Sequence, residues 1–193
     1  MNGHYSDGGL YILLFPLGGG HYHHALYIHV SHPYGMLYHL NPATPTSPST
    51  LSDHLTEDIP TSRTIIASLL IDPHVRDHRL ASAHSILVDT PVPSVSTPTS
   101  TPTDVARASS AWVLSALTRL STAMLGIDQP VAPLMEEAAL LAAFAASNGS
   151  SEMRESRAVR WKSKEAELWE VRRCGVSGCE TCAMFRQRGC RDR

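Results

Sequence analysis

Residues 10–41, LYILLFPLGGGHYHHALYIHVSHPYGMLYHLN, hold three short apolar runs divided by Gly18-Gly19-Gly20 and by His32-Pro33-Tyr34-Gly35. Residues 10–16 are near-continuously apolar and of strand length, which marks a strand covered on both faces. Residues 23–30 alternate. The pleat puts His23, Ala25, Tyr27 and His29 on one face and His24, Leu26, Ile28 and Val30 on the other. Residues 36–40 make a third strand, with Leu37 and His39 on a common face. Connections this short predict an antiparallel meander.

The rest of the chain reads as helices and polar connectors around that meander. Residues 1–9 are polar and glycine-rich, a frayed lead-in. Residues 41–61 are rich in Pro, Thr and Ser and read as a long loop. Residues 64–71 (TIIASLLI) are β-branched enough for a fourth strand, with a helix as the alternative. Residues 72–87 follow with Pro73 at a first helical position. Residues 89–103, with four prolines, form a linker. A helix is predicted over 104–125, N-capped by Asp104 and striped with Ala108, Trp112, Ala116 and Leu120. A second, alanine-rich helix covers 134–146, and a charged one 152–170. The expected architecture is α+β, a small antiparallel sheet with helices packed on one face. It forms a domain over residues 8–147, with a basic helix and cysteine-containing tail over 148–193 appended.

At 193 residues the chain suffices for one core plus tails. Its net charge of −2 gives no global field that would draw it to nucleic acid or membrane. The charge is uneven. Residues 1–151 carry 5 Lys+Arg against 11 Asp+Glu, and residues 152–193 carry 11 against 7. No apolar stretch approaches the ~20 residues of a spanning helix, and nothing resembles a secretory leader. The expectation is an intracellular, cytoplasmic protein with reduced thiols and no membrane span. Acidic residues interleave the basic ones after Arg154, so that segment reads as a solvated helix, with no nucleic-acid partner expected.

Histidines recur at 21, 23, 24, 29, 32 and 39. A histidine opening one strand and another ending the next would bring two imidazoles to one sheet edge. One can act as a general base while the other orients it, given a nucleophile from a helix N-terminus. A metal site from His21, His23 and His39 is the other chemical use of such a group. In the tail, Cys174-x4-Cys179-x2-Cys182-x7-Cys190 could supply four thiolates to zinc, pair oxidatively, or serve neither purpose.

His23-His24-Ala25-Leu26-Tyr27-Ile28 followed by Gly35-Met36-Leu37-Tyr38-His39-Leu40 resembles the permuted papain-like families, the lecithin:retinol acyltransferase-like and NlpC-type domains. It is most similar to small fungal proteins of that type. In those, the histidine strands precede a Pro-Val-Pro segment and an Asn-Cys-Gln-x-Trp-Val motif opening a helix. The same order runs here through Pro91-Val92-Pro93 to Ala108-Ser109-Ser110-Ala111-Trp112-Val113. The resemblance implies His23 as base, His39 as orienting residue and Ser109 at the nucleophile position, or Ser110 if the register slips. Cysteine, asparagine and glutamine of the motif are all replaced. A serine hydroxyl needs a tightly arranged base and oxyanion hole where a thiol does not.

Three readings follow. One is a degenerate papain-like protein that binds a small molecule or a protein partner. A second is a hydrolase or acyltransferase using Ser109, His23 and His39. A third is a zinc-binding interaction protein acting through Cys174, Cys179, Cys182 and Cys190.

Overall fold

The computed structural model describes residues 5–43, 47–57, 59, 62, 64–73, 75, 77–93, 101–123, 127, 130–156 and 159–160. The chain divides into a unit of Met1–Ser156 and a second of Arg157–Arg193. The fold below is that of the first unit. Cys174, Cys179, Cys182 and Cys190 lie outside the described residues, as does most of the predicted charged helix.

Element order is β1 (Leu10–Gly18), β2 (His21–Ser31), β3 (Tyr34–Asn41), β4 (Thr50–Thr56), β5 (Ala67–Asp72), α1 (Asp77–Val88), α2 (Pro102–Thr122), α3 (Val131–Ser147) and β6 (Glu152–Glu155). The strands form one sheet in the order β4-β3-β2-β1-β5-β6. Every pairing is antiparallel except β5–β6, which is parallel and reached through the three helices. Parallel neighbours need such a crossover, whereas β1 to β3 are joined by tight turns. The first turn is carried by Gly18, Gly19 and Gly20, all at positive φ, a region that suits residues without a Cβ.

The pleat segregates the sheet's two faces as the alternation of residues 23–30 predicts. Leu10, Ile12, Leu14, Leu26, Ile28, Tyr38, Leu40, Ala67, Leu69 and Ile71 join one core with Leu87 of α1, Trp112, Val113 and Leu117 of α2 and Leu134 and Leu141 of α3. Helices therefore pack on this face. Each fully buried large aliphatic or aromatic side chain adds about 1.5–3 kcal/mol, so this contiguous face is the main source of stability. Tyr38 also pins β3 to α1 through a 3.0 Å bond between its hydroxyl and His84 Nδ1. Among the described residues no helix is long and apolar enough to cross a membrane.

Four expectations are corrected. Residues 41–61 are not loop throughout, since Thr50–Thr56 is the edge strand β4, paired to β3 from Gly35–Thr56 to Asn41–Thr50. Glu152–Glu155 is a strand, because α3 delivers it to the edge of β5. The N-cap of α2 is Thr101, whose hydroxyl accepts the Asp104 N–H, while Asp104 is the third helical residue and accepts the Thr101 hydroxyl at 2.8 Å. Residues 5–9 do not fray. Gly8 N–H donates to the His29 carbonyl at 2.7 Å, His29 N–H to Gly9 at 2.9 Å, and Val75 N–H to Gly8 at 2.7 Å.

Candidate functional site

His23 and His39 do come together. They sit on diagonal positions of β2 and β3, since Ala25 pairs with His39, and their ring centroids are 5.6 Å apart, edge to face. The row extends both ways. The Phe15 ring of β1 lies 6.2 Å from His23, and the His54 ring of β4 lies 5.9 Å from His39. Ser52 pairs directly with His39 across β3 and β4, so its side chain shares this face. Ser52 and His54 were hidden from sequence reasoning inside the Pro- and Thr-rich stretch. The signal that could have found them is the alternation of Leu51 and Leu55 with Ser52 and His54.

These imidazoles are held neutral. Burial, then the neighbouring His39 and His24, together push His23 down to about 4. Burial also lowers His39, opposed by the Leu40 backbone and reinforced by His54. Nδ1 of His23 is buried without a hydrogen-bond partner among the described residues. A base orienting another base would need a bond between them, whereas the edge-to-face rings stack instead.

Ser109 is elsewhere. It lies two turns inside α2, not at the helix N-terminus, and is 0% exposed. Its Oγ accepts the His24 backbone N–H at 3.1 Å and donates to the Ala106 carbonyl at 3.1 Å. The β2–β3 pairing ends at Ala25–His39, and the His24 N–H just beyond it is taken by Ser109. The hydroxyl has one proton, and Ala106 holds it. Helix α2 packs on the face of Leu26 and Ile28, whereas His23 and His39 line the opposite face. The sheet itself thus separates Ser109 from His23.

The imidazole on the helix side is His24. Its Nδ1 is 3.1 Å from the Tyr22 carbonyl, which can only accept, so the proton sits on Nδ1. Burial lowers its pKa, partly offset by that bond. Trp112 is fully buried three residues beyond Ser109, and its Nε1 has no partner among the described residues. Ser110, the alternative nucleophile position, is half-buried. His21 is engaged by α2, with Nε2 3.0 Å from Thr103 Oγ1.

No three His, Cys, Asp or Glu side chains among the described residues are placed to share a metal ion. The row His23, His39 and His54 is therefore a stack, not a chelate. A shallow surface depression, with a volume of only about 10 Å³, lies between the α2 N-terminus and the end of β3, lined by Leu40, Pro42, Ala43, Ser49, Asp104, Val105 and Ala108. None of the candidate catalytic residues lines it. The chain matches no family model, no curated protein and no solved structure.

Proposed function

We propose that the chain is a binding protein on a papain-like plan whose catalytic half has become structural, acting on a small molecule or a protein partner without turnover. The observation that carries this reading is the Ser109 hydroxyl, fully buried, its proton held by the Ala106 carbonyl and one lone pair by the His24 N–H. A nucleophile must present a free lone pair to substrate and its proton to a base. Ser109 does neither. The replaced Cys, Asn and Gln positions around Trp112 agree with the same reading.

The test is covalent labelling. Full-length protein is exposed to a fluorophosphonate probe and to an activated acyl ester, and adducts are mapped by mass spectrometry. The expected result is no adduct on Ser109 or Ser110 and no ester turnover above buffer. Stoichiometric labelling of Ser109 that His23→Ala abolishes would overturn the proposal and restore the hydrolase or acyltransferase.

A further inference from the structure

The N-terminal segment 5–9 is fastened to the sheet at several points, and one of them can titrate. Tyr5 sets its ring edge-on against Tyr11 and Tyr27, at 4.8 and 5.3 Å between centroids, and its hydroxyl is 2.9 Å from Ser68 Oγ. Ser6 N–H donates to the Tyr11 hydroxyl at 2.7 Å. Gly8 and Gly9 exchange backbone bonds with His29. The His29 ring, 1% exposed, lies under this strap, with Nδ1 2.9 Å from the Tyr27 hydroxyl and Nε2 3.6 Å from Asp7 Oδ1.

We propose that His29 is an acid-sensitive catch, holding segment 5–9 against β2 while its ring is neutral and releasing it when the ring is protonated. The Asp7 carboxylate, 3.6 Å away and beyond hydrogen-bond distance, favours the ring hydrogen on Nε2 by charge, which leaves the Nδ1 lone pair to accept the Tyr27 hydroxyl. Protonation turns Nδ1 into a second donor aimed at a donor. The Tyr27 hydroxyl must then rotate to accept, which leaves its own proton in a buried place it shares with Tyr5 and Tyr11.

The groups that face His29 are few. Tyr5 and Asp7 come from the strap, Tyr27 from its own strand and His32 from the turn that follows; its partner on β3 is Gly35, which brings no side chain. Burial lowers the His29 pKa, the Asp7 carboxylate opposes this and His32 adds to it. Burial prevails because Asp7 is 74% exposed and its attraction is screened by water. A lowered folded-state pKa means that stability is full above the ordinary histidine value and is lost as pH falls through the folded-state value.

The experiment is hydrogen exchange of the Gly8 and His29 amides, corrected for intrinsic rate, from pH about 7.5 to about 4.5, with an NMR titration of the His29 ring. In wild type, protection should fall by up to about tenfold per pH unit between 6.5 and the lower folded-state pKa of His29, and level off below it, while the Ile12 and Leu26 amides stay protected. His29→Asn, which cannot titrate, should give a flat profile. The ring should titrate below 6.5 and show the Nε2–H tautomer. Asp7→Asn, at an exposed position, should lower the folded-state pKa and extend the fall to lower pH. A flat wild-type profile, an unchanged fall in His29→Asn, loss of Ile12 and Leu26 protection in step with Gly8, or a ring titrating at or above 6.5 would each overturn the catch.

Discussion

The Ser109 hydroxyl lies 3.1 Å from the backbone nitrogen of His24 and returns its own proton to Ala106. A side chain in the position of a nucleophile thus acts as a staple between helix α2 and strand β2. It satisfies a strand N–H at the point where the neighbouring strand leaves the ladder. The first prediction follows from that bond.

Ser109→Ala leaves the His24 N–H buried without an acceptor. An orphaned buried donor costs about 1–3 kcal/mol, so the urea midpoint should fall by that equivalent with the slope unchanged. A loss within a few tenths of a kcal/mol would mean that water or another carbonyl reaches the His24 N–H. Because the role is structural, Ser109→Cys should not gain thiol reactivity until the protein is unfolded.

His23 predicts an acid limb of stability. Its pKa is depressed from 6.5 to about 4 by burial, then by His39 and His24. The stability tied to its neutral form is present above pH 6.5 and is lost as pH falls toward 4. At about 1.36 kcal/mol per unit, the loss amounts to at most about 3 kcal/mol. His23→Leu removes a buried Nδ1 that has no partner among the described residues, beside the Phe15 ring. Its stability at neutral pH should be within about 1 kcal/mol of wild type, with a shallower acid limb in urea titrations between pH about 6.5 and about 4. A wild-type slope in His23→Leu would assign the limb to His24, His39 or His29.

Much of this was legible in the residues, and where it was not the reason is physical. The meander of β1 to β3 is written in short apolar runs and shorter turns. The pleat already set His23 opposite Leu26 and Ile28, and helices seek the apolar face, so the separation of Ser109 from His23 was implicit in the alternation. Motif order suggested the contrary, because order along the chain carries no information on which side of a sheet a helix packs. Strand β4 was masked by flanking Pro, Ser and Thr, which speak for loops without forbidding a paired edge. Segment 5–9 looked frayed because its glycines suggest freedom. Yet a Cβ on Gly9 would lie 2.7 Å from the Tyr11 ring and 2.8 Å from the Ser6 carbonyl, so the glycine is there for close approach.

Gly35 gives a third prediction of the same kind. A Cβ added there would overlap the Tyr27 ring at Cζ, Cε2 and the hydroxyl. Tyr27 is 0% exposed, packed by Tyr5 and Tyr11, and has little room to retreat. Gly35→Ala should therefore cost about 1–3 kcal/mol and push the Tyr27 hydroxyl off His29 Nδ1. Thermal melts measure the loss. The double variant Gly35→Ala/Tyr27→Leu, which clears the ring, should cost less than the two single changes added together. Additive losses would show that Gly35 is needed for its backbone and not for its space.

The last prediction concerns the start of α2. Thr101 accepts the Asp104 N–H at 3.2 Å and donates its hydroxyl to Asp104 Oδ2 at 2.8 Å, a reciprocal pair that closes the first turn. Asp104 also holds Arg107 at 2.8 Å, but Arg107 is exposed and that pair adds little. Thr101→Ala removes the cap and should lower stability by about 0.5–2 kcal/mol. Thr101→Ser keeps the hydroxyl and should stay near wild type, and Thr101→Gly should lose only a few tenths of a kcal/mol. The ordering Ser, Gly, Ala in denaturant midpoints separates capping from packing. Were the threonine methyl the useful group, serine, glycine and alanine would all fall together, and the N-terminus of α2 would be held by the core alone.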